Sequence, residues 1–481
     1  MGLRVYNTLT RQKEKFKPRD GKKVGIYVCG VTPYNYCHVG NARPYVVWDV
    51  IRRYLEYKGY DVLYVQNFTD VDDKIMAKAA QEGRSPTEVA NQFIAQYFAD
   101  MDALGIKRAH VYPRVTEHIP EIIETVNALV AKGYAYEVDG DIYYDVSKFA
   151  DYGKLSGRSL EDLKAGARVE VDERKNNPMD FALWKKAKPG EMAWDSPWGP
   201  GRPGWHIECS VMAHKYLGDS FDFHGGGVDL VFPHHENEIA QSEAYTGKQL
   251  ARYWLHNGFV NFSGKKMAKS VGNVVSIAEA RKQYPGIALR LYLLSTHYRS
   301  PIDFDLEKLG AAVKGWERLQ NAAQALEDAF SSRQSEGCSL AELSPGQREF
   351  LQQGESALTK FIEAMDDDFN TALAVGVLFD LVREINIFLR QPLTSAQDVF
   401  VLSKVRDVFT TISDVLGLVA APEAAQEQAD LVAELMRLII NIRQAAREKK
   451  DFALADKIRE QLAGLGFILE DTPHGVRYRR K

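Results

Sequence analysis

The stretch VGIYVCGVTPYNYCHVGNARPYVVWDVIRRYLEYKGYDVLYVQ, residues 24–66, decides the fold class. Its opening, residues 24–29, is a short apolar run after a basic turn, the pattern of a strand buried in a parallel sheet. Residues 44–58 follow as a predicted helix, with Pro44 suited to its first turn and Gly59 to its C-terminal cap. Residues 61–66 read as a second strand. Strand, helix and strand in this order make a βαβ unit, the building block of a doubly wound sheet. The expected fold class is therefore α/β, a Rossmann-type doubly wound parallel sheet.

Working outward, the text changes over residues 121–194. Short segments such as DGDIYYDVS and a polar, lysine-rich stretch read as an insertion and not as another βα repeat. The turn-rich passage DSPWGPGRPGW closes it, and periodic apolar text resumes at Trp205. From about Leu306 to the end the pattern is almost entirely helical. Apolar residues recur at three- and four-residue spacing over 311–330, 370–390 and 430–447. The segment AAPEAAQEQ, 420–428, reads as a boundary between two helical parts.

The chain has 481 residues, 45% hydrophobic and 26% charged, which suits several globular domains and excludes disorder or a fibre as the default. Four cysteines in this length, at positions 29, 37, 209 and 338, do not make a secreted disulfide framework. The N-terminal text is polar, without the apolar centre of a signal peptide, and no run is long enough to span a bilayer. A reducing cytoplasm and no membrane partner are expected. The formal charge of −4 hides an asymmetry: residues 437–481 carry 11 Lys and Arg against 6 Asp and Glu, a local +5, which leaves −9 on the rest. Arg477, Arg479, Arg480 and Lys481 beside Tyr478 suit a phosphate backbone with a base to stack on.

Three clusters carry chemistry. The turn CGVTPYNYCHVGNAR, 29–43, follows the first strand, where free backbone N–H groups and a helix dipole favour anions. Within it His38 and Asn41 offer side-chain donors, and Gly40 lets a planar base approach the backbone. The second cluster, GKKMAKS at 264–270, is lysine-rich but lacks the spacing of a Walker loop, and HGGGVDL at 224–230 lacks the third glycine of a dinucleotide fingerprint. Taken alone, a lysine-rich loop is a solvated surface. The third cluster joins Cys29 and Cys209 to the tract PHHENE, 233–238. Pro233 marks a helix start, and His234 and Glu238 lie four apart on one face, with His235 three from Glu238. Thiolate, imidazole and carboxylate are all zinc ligands. Spacing does not choose between the two histidines. The tract is not H-E-x-x-H, because Ile239 stands where the second histidine belongs, which counts against a zinc hydrolase.

Together the clusters resemble the cysteinyl-tRNA synthetase family of class I aminoacyl-tRNA synthetases, from near residue 20 to the end. His38-Val39-Gly40-Asn41 is similar to the class I H-I-G-H element, and Lys266-Met267-Ala268-Lys269-Ser270 to its K-M-S-K-S element. NFTDVDDKI (67–75), GWHIECS (204–210), FHGGGVDLVFPHHENE (223–238), MDDDFNTALAV (365–375) and the tail from Asp451 resemble text of the cysteine-specific branch. Two departures stand out. Asn41 replaces a histidine but keeps a donor, and Ala268 replaces a serine but leaves both lysines.

The resemblance implies that the chain joins L-cysteine to ATP and passes the cysteinyl group to the 3′ end of tRNA(Cys). His38, Gly40 and Asn41 would bind ATP, with Mg2+ arriving on the nucleotide. Lys266 and Lys269 would stabilise the phosphate charge. It implies one Zn2+ on Cys29, Cys209, His234 and Glu238, binding the substrate thiolate and so rejecting serine, which a pocket alone distinguishes by only about 1–3 kcal/mol. Thr69, Trp205 and Asp229 would line the amino-acid pocket. Cys37 and Cys338 match no ligand position. The implied division is a catalytic first half at 1–120, a connective insertion at 121–194 and a second catalytic half with the zinc site at 195–255. A stem-contact region with the lysine loop at 256–310, a helical bundle at 311–425 and a small basic anticodon-binding domain at 426–481 follow. No coiled-coil seam argues for a dimer, so a monomer is expected. A ligase that passes cysteine to a small amine would not need the helical half and basic tail. A non-catalytic tRNA-binding relative would not need the lysines and zinc residues.

Overall fold

The first βαβ unit is present, with longer elements than the apolar runs predict. In the computed structural model, strand Lys23–Val31 leads into helix Val39–Tyr57, and the chain returns along strand Asp61–Phe68. The structure describes residues 2–159, 161, 174–262, 265–267, 274–330 and 342–419. In the C-terminal part it describes 436, 438–440, 442–444, 446–447, 451–464, 467–472 and 475–480.

Two later strands, Phe221–Gly227 and Ala251–Asn257, complete a four-stranded sheet in which every pairing is parallel. Its spatial order is Ala251–Asn257, Phe221–Gly227, Lys23–Val31, Asp61–Phe68. The chain therefore builds outward from Lys23–Val31 first in one direction and then in the other. Such a reversal opens a crevice at the carboxyl ends of the two central strands, the usual ligand position in an open α/β sheet.

Side chains alternate across this sheet as a strand requires. Val24, Ile26 and Val28 enter one core, shared with helix Val39–Tyr57 and the helices beyond residue 306. Tyr27 and Cys29 enter the opposite core, with helices Trp205–Leu217 and Glu236–Thr246. The period of two thus delivers Cys29 to the face that carries Cys209 and Glu238.

The helix predicted over 44–58 begins five residues earlier. His38 is its N-cap, and Pro44 lies inside it, not in its first turn. A reciprocal cap accounts for the difference: Asn41 N donates to His38 Nδ1 at 3.3 Å, and His38 N donates to Asn41 Oδ1 at 3.1 Å. Two orphan donors are satisfied before the proline, so the helix starts without it.

The insertion contains helix Ile119–Ala131 and a four-stranded antiparallel sheet, Ala135–Val138, Asp141–Tyr144, Phe181–Lys186 and Gly201–Pro203, in that order. Its last strand lies beyond 194, within the turn-rich passage. Asp139 and Gly140 both have positive φ, 54° and 90°, matching the tight hairpin turn between the first two strands. The insertion grips helix Glu236–Thr246 from outside. Tyr144 Oη donates to Ala240 O at 2.9 Å, Tyr152 Oη to Asn237 Oδ1 at 2.6 Å, and Ser156 N to Glu236 Oε2 at 2.8 Å.

A small sheet follows the main one: Val260–Phe262 pairs parallel with Ile302–Phe304 and antiparallel with Lys265–Lys266. Helices Leu306–Phe330, Pro345–Asp366, Thr371–Phe388 and Ala396–Leu416 then pack together. The aspartates of the MDDDF text tie them back to the catalytic half, with Tyr54 Oη on Asp366 at 2.7 Å and Tyr298 Oη on Asp368 at 2.8 Å.

Compact units divide between Val419 and Ala420. In the second unit the almost entirely helical pattern ends in strands. After helix Phe452–Gly464, strands Phe467–Thr472 and Gly475–Arg480 pair as an antiparallel hairpin. FILEDT and GVRYRR are rich in β-branched and aromatic residues, which favours a pleated strand over a helix. Arg477, Tyr478, Arg479 and Arg480 lie on its last strand, and Lys481 lies outside the described residues.

Candidate active site

A cavity of about 490 Å³ opens where the strand order reverses. Cys29, His38, Asn41, Trp205, Asp229 and Met267 are among the residues that line it. One end is the nucleotide-type turn. Because His38 Nδ1 accepts the cap bond, the compatible tautomer carries its proton on Nε2. Asn41 spends Oδ1 on the cap, so only Nδ2 is a donor to an anion. Gly40 is required by close approach: a Cβ there would stand 2.9 Å from the His38 ring. The residues just past the lysine text dock on the same turn, with Val39 N on Val275 O at 3.0 Å and Ile277 N on Cys37 O at 2.9 Å.

The other end reaches Cys29, which belongs to a buried corner of thiols, imidazoles and one carboxylate. Cys29 comes from the sheet, Cys209 from helix Trp205–Leu217, His234 from the turn before helix Glu236–Thr246, and Glu238 from that helix. Pro233, expected to open the helix, sits instead in a π-type turn over Val231–His235, and the regular helix begins at Glu236. Cys29 Sγ lies 3.8 Å from Cys209 Sγ and 3.5 Å from Glu238 Oε1, and His234 Nε2 lies 3.0 Å from Glu238 Oε1. With zinc–ligand distances of about 2.0–2.3 Å, a tetrahedral site needs donors roughly 3.4–3.8 Å apart. The sulfur edges meet that requirement, and the His234–Glu238 edge needs to open slightly. The donor set fits a zinc ion.

A second set shares two of these residues. Cys29, His224, His235 and Glu238 also bring one ligand atom each within 4.8 Å of the others. His235 Nε2 is 3.3 Å from Cys29 Sγ, so both histidines of the tract reach the corner. His224 Nε2 is engaged with Glu238 Oε2 at 2.8 Å, and its ring stacks on Trp254 with centroids 4.4 Å apart. Glu238 thus turns one oxygen to His224 and the other to Cys29 and His234.

Charge in this corner is held by mutual contact. Burial opposes ionisation of Glu238, yet His224 and His234 hold its carboxyl well below the usual range. Burial likewise opposes the charged form of His234, but Glu238 and Cys209 raise it to about 10. A hydrogen bond from Cys29 lowers Cys209 to about 6, whereas burial and Cys209 push the Cys29 thiol well up. The corner therefore stabilises one thiolate and one carboxylate, ligand forms a divalent cation needs.

Of the amino-acid-pocket residues, Asp229 and Trp205 line the cavity, and Thr69 does not. Trp205 is no core aromatic: it is 44% exposed and its ring centroid lies 4.3 Å from that of His234. Thr69 is buried behind the strand ends, where its N–H donates to Val31 O at 3.2 Å. A Cβ on Gly227 would meet Asp229 Oδ1 at 2.5 Å, so that glycine makes room for the carboxylate. The backbone of Lys266 belongs to the small sheet, and Lys269 lies outside the described residues.

Four residues near the site received no role from the sequence. His206 Nδ1 contacts His234 Nδ1 at 2.9 Å, His256 Nε2 contacts His235 Nδ1 at 2.8 Å, His224 holds Glu238, and Asn67 Oδ1 accepts from Gly30 N at 2.9 Å. A signal existed for His206, which stands three before Cys209 in one helix and so shares its face.

Residues 15–314 match the family model described as the tRNA synthetases class I (C) catalytic domain, and residues 360–420 match the DALR domain. Cysteine--tRNA ligase of Heliobacterium modesticaldum is 56% identical over 483 residues, covering all of both chains. The chain belongs to the cysteine--tRNA ligase family. Other relatives agree at the same scale: the ligase of Geobacillus thermodenitrificans is 51% identical over 99% of each chain. Membership makes this chain a class I aminoacyl-tRNA ligase, an enzyme with a Rossmann-like catalytic domain and a helical C-terminal part. Solved structures extend the fold beyond the family. Mycobacterium tuberculosis methionyl-tRNA synthetase superposes with a TM-score of 0.62 at 16% identity, over 84% of this chain and 93% of that one. A leucyl enzyme of Agrobacterium radiobacter, LeuRS, gives 0.60 at 13%, over 83% and 84%.

Proposed function

We propose that the chain activates L-cysteine with ATP, forming cysteinyl-adenylate and pyrophosphate, and transfers the cysteinyl group to the 3′ end of tRNA(Cys). One observation carries this reading: a single cavity has a phosphate-type turn at one end and at the other reaches Cys29 and Trp205, which belong to or cover a buried corner of thiols, imidazole and carboxylate.

In this reading His38 donates through Nε2 and Asn41 through Nδ2 to the ATP phosphates, with Mg2+ bound to the nucleotide. Gly40 keeps His38 in its cap and the turn open to the base. Lys266 and Lys269 meet the β- and γ-phosphates as negative charge moves toward pyrophosphate, and positioning with charge stabilisation supplies the catalysis. Asp229 pairs with the substrate ammonium at the cavity wall, Trp205 covers the metal corner, and Thr69 supports the strand ends from behind. Cys29, Cys209, His234 and Glu238 hold a zinc ion. Bound there, zinc supplies coordination for a substrate thiolate that a serine hydroxyl, far harder to ionise, matches poorly.

The match over 360–420 and the basic strand of the C-terminal hairpin support contact with the tRNA. Among the described residues no helix is long and apolar enough to cross a membrane, and Cys29, Cys37 and Cys209 are buried and form no disulfide. In this reading the chain works as a monomer in a reducing cytoplasm, where buried thiols persist.

The test measures cysteine-dependent ATP–pyrophosphate exchange, tRNA charging and bound metal on one preparation. One zinc per chain, exchange with cysteine and none with serine are expected. Normal cysteine exchange from a metal-free preparation would overturn the zinc assignment, and exchange without charging would overturn the transfer step.

A further inference from the structure

Among the described residues no carboxylate accompanies a cation buried on helix Val39–Tyr57. Arg43 is fully buried, and among those residues its guanidinium is met by backbone carbonyls alone. Nη1 donates to Gly258 O and Phe259 O, both at 2.8 Å, and Nη2 donates to His297 O at 3.2 Å and to Ser300 O. Nε has no partner. Burial pulls this guanidinium down to about 10, the mark of a cation held where its charge is disfavoured. Arg290, equally buried, differs in having Asp49 Oδ2 at 2.6 Å. A cation buried without an anion is costly, and an apolar side chain would fill the same space more cheaply. What Arg43 supplies is geometry: one planar fork gathers four carbonyls from two segments.

Those segments are the lead-ins of the small sheet. Gly258 and Phe259 run directly into strand Val260–Phe262, and His297 and Ser300 run into its parallel partner, Ile302–Phe304. The third strand is Lys265–Lys266. The two lead-ins are pressed backbone against backbone, since a Cβ on Gly258 would come within 2.7 Å of Arg299 O and Ser300 C. Arg43 stands two residues from Asn41 on the helix that His38 caps. The sheet that carries Lys266 is therefore fastened to the helix that carries the phosphate-type turn.

We propose that Arg43 is a positioning residue: by gathering the carbonyls of Gly258, Phe259, His297 and Ser300, it sets the distance between the His38–Asn41 turn and Lys266. The proposal rests on the reading of Lys266 given above. It assigns no contact between Arg43 and substrate. Loss of the fork loosens the small sheet against the helix, so Lys266 meets the phosphates out of place, while the cysteine end of the cavity keeps its shape.

The experiment uses the full chain and follows cysteine-dependent ATP–pyrophosphate exchange in Arg43→Met, Arg43→Lys, Lys266→Ala and the two doubles. Arg43→Met should lower kcat roughly 10–100-fold, the scale of a misplacement of about 1 Å, with the cysteine KM within about threefold of wild type. Arg43→Lys, whose ammonium reaches fewer carbonyls, should fall between. In the Lys266→Ala background either substitution should cost less than about threefold more, because the group being positioned is gone. Full multiplicative losses in the doubles, or a cysteine KM that rises as kcat falls, would mean a merely structural role and overturn the proposal. Should Arg43→Met fail to fold, Arg43→Lys decides by the same criterion. Wild-type exchange from Lys266→Ala alone would overturn the lysine reading and this proposal with it. A defective Lys266→Ala with additive doubles would overturn this proposal only.

Discussion

The two ends of the catalytic cavity are built on opposite principles. At the metal corner every donor is buried, each comes from a different element, and each touches another, so the ionised forms are set by neighbours. At the end proposed for the nucleotide the donors sit on one short turn, capped by their own side chains, and Lys266 arrives on a separate small sheet. The first arrangement discriminates, since a preformed ligand set accepts little variation. In the proposed reading the second holds charge where a flexible triphosphate changes shape, and it depends on how two pieces are aligned.

Substitutions can break that contrast. The largest effect is expected at Cys209→Ser: bound zinc and cysteine-dependent exchange should both fall at least ~100-fold, since the loss of even an outer partner weakens metal sites by roughly 10–100-fold. Metal analysis beside exchange kinetics checks it, and retained activity without metal would erase the distinction between the ends. Lys266→Ala should lower the kcat of exchange roughly 10²–10³-fold, as loss of a transition-state donor does, with little change in the cysteine KM. A loss confined to KM would make the nucleotide end a simple binding surface. His224→Gln should weaken zinc roughly 10–100-fold and leave the kcat of the zinc-saturated enzyme nearly unchanged, because it removes a partner of Glu238 and not a ligand. Competition with a chelator reads this, and a loss as complete as that of Cys209→Ser would instead favour the His224–His235 set. Trp205→Phe should be mildest, with a cysteine KM within about threefold, because one aromatic face still lies over His234.

How much of this was legible depended on whether the information was local. The apolar run from Val24 to Cys29 after a basic turn announced a parallel strand, and the strand and helix after it appeared where their patterns lay. The start of that helix was hidden because the cap is made by the His38 and Asn41 side chains, which outcompeted the proline as a start signal. Cys29, Cys209 and the PHHENE tract were chemically suggestive as zinc ligands, but spacing could not choose between His234 and His235, and only likeness to a family pointed to Cys29, Cys209, His234 and Glu238 as the set. The supporting histidines stayed invisible for the same reason: His224 and His256 come from different strands and meet the corner only once the sheet is closed. The C-terminal hairpin went unmarked because the last helical period read ended at residue 447, and the text after Gly464, which favours strands, was covered only by the broad helical pattern.

The grip of the insertion on helix Glu236–Thr246 has a consequence for inheritance. The inner side of that helix faces the metal corner, while Tyr144, Tyr152 and the backbone at Ser156 hold its outer side. A foreign insertion lacking those anchors would unseat Glu238 even if every ligand were kept. Residues 121–203 and the helix they clasp therefore have to change in step across descendants, and a recombination point between them would separate a lock from its mounting.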